Sequence, residues 1–502
     1  MAVLLNEPQS RARARVPLLA VAKAVVWLSM TLLLWQTSWL SDDAVISLRS
    51  ALNWAHGYGP NFNIDEAVAS YTHPLWFAFI TLQGSLTGSW VYGTLYLALA
   101  FASAAVMLLV LQARNWWQLS VISMLLLLGN TVLDWLGSGL EGSLAAFLLC
   151  AIAYVCLKRP HPAVGVLIAL LLLCRLDFAL LIAPIGVWLV WNWRTQPRRL
   201  LWFLVGALGP LLVWAAWAQH SYASVLPSTF AAKTNSTIPA GELLARGTEF
   251  LTASVRYDPS LLAVAALLVI TMWAGDASVR VWLTGVPLYV LYITVIGGDY
   301  LLGRFMMVPV MAVLLGITST DLPDRRGGRV LWLVPLAALV LALPATRVLD
   351  LDASQPFRTS KTYFQDERPG WSLAGRSLDP LDRIETRETI VRTDLPYLDE
   401  VARRWPSGAK YDGTTIVVCN ALGAISFQTP LSVHIIDPCG LADPFLASLP
   451  FSPNGFWKAG HLERPLPAGY EEAVRTHDPS KVVDPALRER LQQMWSSTLR
   501  PS

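Results

Sequence analysis

Long apolar segments recur through the first two-thirds of this chain, and they constrain its fold more than any other feature. Several have about 18 or more residues with few charges, which is the length that a helix needs to cross a bilayer. Of the 502 residues, 54% are hydrophobic and only 15% are charged, whereas a soluble chain has roughly 25% charged residues. We therefore predict a polytopic α-helical membrane protein.

The first apolar segment runs from Val16 to Leu40 and is interrupted only by Lys23. It is too long for the hydrophobic region of a signal peptide, so we interpret it as an uncleaved first span. A shorter apolar stretch, Leu75–Leu86, suits half a span or an interfacial helix. Together with the later segments, the pattern predicts about eleven transmembrane helices. The later predicted spans are Trp90–Leu111, Trp117–Leu133, Leu140–Leu157, Ala163–Cys174, Phe178–Trp193, Leu200–Ala218, Leu261–Ala274, Val281–Ile296, Phe305–Thr318 and Val330–Ala345.

Basic residues between the segments predict the orientation. Arg11, Arg13 and Arg15 precede the first span, and the positive-inside rule places this end in the cytoplasm. Threading the spans in order brings every later basic cluster to the same side. These clusters are Arg114, Lys158-Arg159, Arg194 with Arg198-Arg199, Arg280, and Arg325-Arg326 with Arg329. We predict a multi-pass plasma-membrane protein with a cytoplasmic N-terminus.

The composition divides the chain into two parts. Residues 1–346 form the predicted transmembrane domain, with a large first external loop at residues 41–74. Residues 347–502 are richer in Asp, Glu, Arg and Pro, and they contain apolar runs at Thr415–Val418 and Val433–Ile436. This pattern predicts a soluble α/β domain on the outer face. Cys419 and Cys439 lie in it, and the sequence leaves open whether they form a disulfide.

The first external loop contains the strongest catalytic candidates. Asp42 and Asp43 leave the membrane directly after the first span. Adjacent carboxylates at a rim of low dielectric raise the pKa of one of them, which suits a general base that deprotonates an acceptor hydroxyl. The alternative is a polar stop for the span, but the polar, aromatic loop around the pair favours catalysis.

Four basic side chains on the same predicted face suit an anionic group such as a lipid phosphate. They are Arg304, Lys233, His73 and Arg175. Each also has a simpler interpretation. Arg304 could snorkel, Lys233 could be solvated, His73 could be interfacial, and Arg175 could pair with Asp177. Asp134 and Glu141 flank Gly137-Ser138-Gly139, and we interpret them as incidental acids of a turn.

The first loop resembles that of GT-C glycosyltransferases, and most closely the terminal β-(1→2)-arabinofuranosyltransferase family of actinobacterial cell walls. The residues that carry this resemblance are Asp42-Asp43-Ala44, Ile46-Ser47, Arg49, Asn53, Gly57, Gly59, Phe62-Asn63, Glu66, Tyr71-Thr72 and Pro74-Leu75-Trp76. Later stretches are similar as well: Leu226-Pro227 to Lys233, Gly298-Asp299-Tyr300, Gly303-Arg304-Phe305, Asp437, Gly440 to Pro444, and Gly460-His461 to Pro465. Val45, Leu48 and Ser228 depart from the residues common there, which bears on the substrate more than on the class.

The resemblance implies a polyprenyl-phosphate sugar donor, usually decaprenyl-phosphate arabinofuranose. The implied acceptor is the non-reducing end of arabinan in arabinogalactan or lipoarabinomannan. Polar residues expected to contact the substrate or acceptor are Arg49, Asn63, Glu66, Tyr71, Asp177, Asp299, Tyr300 and His461.

A monophosphate donor carries its own leaving group, so no metal or other cofactor is required, although paired Asp side chains could hold a divalent cation. One Asp would activate the acceptor while cations stabilise the departing phosphate. If donor and product are both β-linked, the configuration is retained and a simple base is insufficient.

Three other functions stay open from the sequence. A polyprenyl-phosphate-mannose-dependent mannosyltransferase of the same fold would share these motifs. A lipid or glycan transporter would place ionisable residues near mid-bilayer and often has an internal repeat, and no repeat is evident here. A non-catalytic scaffold would tolerate replacement of its carboxylates. A net charge of +3 does not suggest nucleic acid as a partner, and the oligomeric state stays open.

Overall fold

The computed structural model describes residues 7–320, 333–343, 346, 364–368, 413–419, 421–453 and 457–499. Helices account for 70% of the structure. Up to residue 343 the α-helices are α1 (Glu7–Thr37), α2 (Asp42–Ala55), α3 (Pro74–Thr87), α4 (Val91–Gln112), α5 (Trp116–Leu128), α6 (Asn130–Leu136), α7 (Gly142–Lys158), α8 (Val164–Cys174), α9 (Ala179–Trp193), α10 (Pro197–Tyr222), α11 (Ser228–Thr234), α12 (Ala240–Tyr257), α13 (Ser260–Ala274), α14 (Ala277–Val295), α15 (Met307–Ile317) and α16 (Leu333–Ala342). Short 3-10 turns, Leu176–Phe178 and Arg304–Met306, precede α9 and α15.

The predicted spans are helical in the described residues, because a long apolar segment with few breakers satisfies its backbone groups best as a helix. The predicted span Trp117–Leu133 is an exception in one respect, since it is divided between α5 and α6. In the part of the chain that the structure describes, five helical stretches are long and apolar enough to cross a bilayer: Leu18–Thr37, Val91–Gln112, Leu176–Trp193, Pro197–Tyr222 and Ala277–Val295. Two bent pairs, α5 with α6 at 67° and α12 with α13 at 108°, raise the number to as many as seven. The count of about eleven spans therefore stays a prediction.

Large apolar side chains point outward along several helices. Leu32 of α1 is 63% exposed, and Val213 of α10 is 72% exposed. A soluble protein rarely leaves such continuous apolar surface in water, whereas lipid tails solvate it. The apolar helices and this surface identify a helical membrane protein.

Helix α15 lies at the centre of the bundle. All of its residues are buried, and it packs against α7, α13 and α14. Because α15 is buried on all sides, it needs no polar face, and its short length is sufficient for this interior position. Its burial fixes the position of Arg304, which lies in the 3-10 turn immediately before it.

The described C-terminal residues form a small α/β arrangement. Strands β1 (Thr415–Val417) and β2 (His434–Ile436) pair in parallel, in agreement with the two apolar runs of the sequence. The helices after β1 are α17 (Leu422–Gln428), α18 (Pro444–Ser448), α19 (Tyr470–Thr476) and α20 (Pro485–Thr498). Residues 347–363 and 369–412 lie outside the described residues, as do Arg325, Arg326 and Arg329, so the division at residue 346 stays a prediction.

Cys419 and Cys439 are joined in a disulfide, with their Cα atoms 5.4 Å apart. The bond connects the end of β1 with the turn after β2. The structure therefore contains the disulfide that the sequence had left open.

Arg49 joins the first loop to the C-terminal residues. It is fully buried and donates hydrogen bonds to the carbonyl of Phe62 at 3.0 Å and, across the interface, to those of Thr429 at 3.0 Å and Val433 at 2.9 Å. Asn63 makes two 3.0 Å hydrogen bonds with the backbone of Ile435. The sequence predicted that Arg49 and Asn63 contact the acceptor, but both hold this junction instead.

We expect Arg49→Met to destabilise the protein by about 3–5 kcal/mol, because several buried carbonyls lose a charged donor. The exposed Arg475 pairs with Glu472, and Arg475→Met is the matched control, with an expected cost of about 0–1 kcal/mol. Thermal unfolding of the purified proteins measures the difference. Equal unfolding temperatures for the two variants would contradict this role of Arg49.

Candidate active site

The two carboxylates at the start of α2 point to different places. Asp42 faces the C-terminal residues, where it accepts hydrogen bonds from the N–H groups of Gly423 at 3.0 Å and Ala424 at 2.8 Å. Gly423 allows this approach, since a Cβ there would lie 2.0 Å from the Asp42 carbonyl oxygen. Asp43 instead lines a small polar cavity. Only Asp43 is therefore available to a substrate in that cavity.

This cavity, called the ionic pocket below, has a volume of about 50 Å³. Its lining comes from α2, the first loop, the turns after α6 and α8, α11, the turn before α15 and the turn at residues 458–461. Most of the predicted site residues meet here: Asp43, Tyr71, His73, Arg175, Lys233, Asp299, Tyr300, Arg304 and His461. Ser47, Thr72, Glu141 and Thr229 also line it, without having been predicted as site residues.

Arg304 forms ion pairs with Asp43 and with Asp299, the latter at 2.7 Å. Gly303 precedes Arg304 and has a φ of +84°, a conformation that favours glycine. A Cβ at residue 303 would lie 2.8 Å from Tyr257, so the turn that directs the Arg304 side chain requires glycine there. Two carboxylates thus share one guanidinium.

The pKa values of the acidic pair diverge. Burial raises the pKa of Asp42 to about 6, despite its bonds to backbone N–H groups. Burial would also raise the pKa of Asp43, but the charge of Arg304, with that of Lys233, outweighs it and lowers that pKa. The prediction that one pKa is raised is confirmed, but for the carboxylate outside the ionic pocket. Asp43 is therefore ionised at neutral pH and is a weaker base than the sequence suggested.

Lys233 and His461 lie near each other in the ionic pocket. Within the described part of the chain, Lys233 has no carboxylate within ion-pair distance, and its side chain is accessible to solvent. Arg464 holds the helix of Lys233 by donating to the carbonyl of Ala232 at 2.8 Å. Burial lowers the pKa of His461 to about 4, so its imidazole is neutral at pH 7. An uncompensated cation beside neutral donors suits an anionic ligand.

Glu141 connects two of the predicted basic residues. Its carboxylate lies 3.2 Å from Nδ1 of His73 and 3.3 Å from Arg175. Burial alone would raise the pKa of Glu141, but His73 and Arg175 lower it. The interpretation of Glu141 as an incidental acid of a turn was therefore wrong. No signal of these contacts is present in the sequence, because both partners are far from Glu141 in the chain.

An apolar groove adjoins the ionic pocket. It has a volume of about 360 Å³ and runs between α8, α9 and α10. Its apolar lining includes Leu172, Leu173, Leu180, Trp214, Val225, Leu226 and Phe230. The groove and the ionic pocket share Tyr71, Thr72, Arg175, Thr229 and Lys233. A ligand with an apolar chain and a charged head therefore fits both at once.

Two predicted contact residues form part of the groove wall. The Tyr71 hydroxyl lies 2.6 Å from that of Tyr222, and its ring stacks on Phe77 with centroids 3.8 Å apart. Asp177 pairs with Arg175 at 2.9 Å and accepts a hydrogen bond from Tyr289 at 3.2 Å. Both side chains are fixed by protein partners, so they shape the groove.

Glu66, the remaining predicted contact residue, lies outside the ionic pocket. It is buried at the junction with the C-terminal residues, where it forms isolated β-bridges with Asn63 and Leu499. Burial, followed by the charge of Asp443, raises the pKa of Glu66 to about 8. A buried acid of this kind contributes to stability in its protonated form.

Among the described residues, one group has three side chains that bring metal-ligand atoms close together: Cys419, Asp437 and Cys439. The two sulfurs are joined in the disulfide. The Asp437 carboxylate accepts hydrogen bonds from the N–H groups of Cys439 and Ala442, both at 2.9 Å. These internal bonds account for all three side chains.

The chain is similar over most of its length to two curated proteins, each named terminal beta-(1->2)-arabinofuranosyltransferase. The protein from Mycobacterium tuberculosis is 25% identical, with 85% of this chain and 82% of that protein covered. The protein from Corynebacterium glutamicum is also 25% identical, with 85% and 73% covered. The chain resembles arabinofuranosyltransferases. No protein-family model matches it.

This similarity confirms the resemblance that the motifs of the first loop indicated. By their names both relatives are glycosyltransferases, so the prediction of an enzyme of this class is supported along nearly the whole chain. The roles of individual residues and the identity of the substrates are proposals.

Asp42→Asn and Asp43→Asn are expected to have opposite effects. Asp42→Asn weakens two buried hydrogen bonds, so we expect a loss of about 1–3 kcal/mol in the free energy of unfolding with glycosyl transfer largely kept. Asp43→Asn leaves Arg304 paired with Asp299, so we expect near-normal stability and a loss of activity of at least about 100-fold. Unfolding and transfer assays on both variants test this. Loss of activity in a stable Asp42→Asn protein would overturn the assignment.

The junction around Glu66 should become less stable as the pH rises. The pKa of Glu66 is about 8 in the fold against 4.5 for the free side chain, so its contribution is fully present below pH 4.5 and is lost as the pH rises through 8. Raised pKa values of Asp443, about 6, and of His434 act in the same direction. The pKa of Asp65 is lowered, so its contribution to stability is lost only in acid.

We expect the unfolding temperature to fall from pH 6 to pH 9, and Glu66→Gln to reduce that slope because the amide stays neutral. Thermal scans at several pH values measure both. A slope that is unchanged in Glu66→Gln would show that other groups cause it.

Proposed function

We propose that this protein is a membrane glycosyltransferase that moves an arabinofuranosyl residue from decaprenyl-phosphate arabinose to the non-reducing ends of cell-wall arabinan. The acceptor would be arabinogalactan or lipoarabinomannan on the outer face of the plasma membrane. Similarity to two terminal arabinofuranosyltransferases supports the sugar and the reaction class.

The junction of the apolar groove and the ionic pocket carries this proposal. A polyprenyl phosphate consists of a long apolar chain with an anionic head, and the groove ends where Arg175 and Lys233 line both cavities. The prenyl chain would lie against Trp214 and Phe230, with the phosphate beside Lys233. A soluble sugar-nucleotide donor would have no need for such a groove.

Lys233 and Arg304 are the cations that suit the phosphate. Lys233 lacks a carboxylate partner in the described residues, so it gains an ion pair when the phosphate arrives. Arg304 shares its charge between Asp43 and Asp299, which keeps the guanidinium fixed before binding. Preorganised donors of this kind stabilise the charge that develops on a departing phosphate.

Asp43 is the proposed catalytic carboxylate. Glycosyl transfer passes through an oxocarbenium-like transition state, in which positive charge develops at the anomeric carbon. An ionised carboxylate at the entrance of the ionic pocket stabilises that charge. Because Arg304 lowers its pKa, Asp43 suits this role better than that of a proton acceptor.

The acceptor would approach beneath the C-terminal residues. The His461 ring lies 4.4 Å from the Tyr300 ring in an edge-to-face arrangement, and both residues line the ionic pocket. Aromatic and imidazole side chains offer apolar faces to sugar rings together with polar edges to their hydroxyls. Asp299 completes this wall.

In the proposed orientation the N-terminus is cytoplasmic, and the C-terminal domain of residues 347–502 lies outside with the first loop at 41–74. The contacts of Asp42, Arg49 and Asn63 with C-terminal residues support a common side for these two parts. The proposed mechanism requires no cofactor.

The test is a transfer assay with the purified full chain in lipid nanodiscs. Decaprenyl-phosphate arabinose and polyprenyl-phosphate mannose are offered separately with a short arabinan, and the product linkage is analysed. We expect transfer of arabinose alone, through a β-(1→2) bond, with Asp43→Asn inactive. Transfer of mannose would favour the mannosyltransferase alternative, and no transfer by a folded wild-type protein would contradict the proposal.

A further inference from the structure

We propose that Ser47, His73 and Glu141 form a proton relay that takes the proton from the acceptor hydroxyl. The inference rests on the glycosyl transfer proposed above. It adds Ser47 and Glu141, which the sequence did not assign to the chemistry, and it gives His73 a role other than phosphate binding. Ser47 would contact the acceptor, His73 would hold the proton, and Glu141 would be a positioning residue.

The three side chains lie next to one another in the ionic pocket. His73 Nε2 lies 2.8 Å from the Ser47 hydroxyl, and His73 Nδ1 lies 3.2 Å from Glu141 Oε2. All three residues are buried, with 1%, 5% and 5% of their surface exposed, in chain order. They come from α2, the end of the first loop and the turn before α7, so only the fold brings them together.

The partners determine which nitrogen of His73 carries the proton. An ionised carboxylate can only accept hydrogen bonds, so the nearby Glu141 favours the tautomer with the hydrogen on Nδ1. Nε2 is then unprotonated and accepts the hydrogen of the Ser47 hydroxyl. A hydroxyl, an imidazole and an orienting carboxylate in this order are an arrangement that can remove a proton from a reacting oxygen.

The relay lies beside the proposed catalytic carboxylate. Asp43 and Ser47 are four residues apart on α2 and therefore share one helix face. Asp43 is engaged by Arg304, whereas His73 Nε2 contacts the Ser47 hydroxyl. The acceptor oxygen can thus approach the anomeric carbon near Asp43 while its hydrogen points to Ser47.

The proposed step conserves atoms and charge. The acceptor oxygen forms a bond to the anomeric carbon as the bond from that carbon to the phosphate oxygen breaks, and the electron pair leaves with the phosphate. The acceptor proton passes to the Ser47 hydroxyl, whose own proton passes to His73 Nε2. Glu141 stabilises the imidazolium, which later returns its proton to solvent.

The test measures kcat and the donor KM of wild type, Ser47→Ala, His73→Gln and Glu141→Gln in the nanodisc assay. We expect His73→Gln and Ser47→Ala to lower kcat by about 100-fold or more and to leave the donor KM within about two-fold of wild type.

His56→Gln and Ser50→Ala are the matched controls. His56 is exposed at the end of α2, and Ser50 is buried on the same helix with its hydroxyl 3.0 Å from that of Ser70. Both should keep the wild-type rate. If His73→Gln fails to fold, Ser47→Ala, which removes one oxygen, carries the test.

Two results would overturn the relay: a folded His73→Gln or Ser47→Ala with kcat within about ten-fold of wild type, or a loss confined to the donor KM. Either result leaves wild-type transfer intact and so does not affect the proposed function. Absence of transfer by the wild type would instead reject the proposed function.

Discussion

The pairing of Arg304 with Asp43 and Asp299 is the interaction on which the candidate site depends. A buried charge without a partner is costly, so the carboxylates and the guanidinium hold one another in place across different parts of the chain. The buried helix α15 fixes the guanidinium from one side and α2 fixes Asp43 from the other. Because the pocket is built around these opposite charges, its cations are in place before any ligand binds.

The same helix α2 connects the membrane part of the chain to the C-terminal residues. Asp42 accepts hydrogen bonds at the start of α17, and Arg49 reaches the carbonyls that follow that helix. Residues two turns apart on α2 thus hold α17 and the residues that follow it. Stability and the geometry of the site therefore depend on neighbouring residues of a single helix.

The helices could be predicted from the sequence because hydrophobic length is a property of contiguous residues. The predicted spans are helical, with Trp117–Leu133 divided between two helices, and the apolar runs in the C-terminal part are strands. The number of helices that cross the bilayer was harder to predict, because the bent pairs and the short buried α15 depend on packing. Asp43, Lys233, Arg304 and His461, which local polar motifs indicated, line one cavity, and their roles there stay predictions. Glu141 was missed because its partners, His73 and Arg175, are distant in sequence.

Local pattern was enough to establish the membrane class, the helical segments and the resemblance to arabinofuranosyltransferases, since each depends on residues close together in the chain. It could not decide which of two adjacent carboxylates faces a ligand. Asp42 and Asp43 are chemically equivalent as a dipeptide, and successive residues on a helix point about 100° apart. Packing of the C-terminal residues against α2 covers Asp42 and leaves Asp43 open, a distinction that exists only after distant parts of the chain have come together.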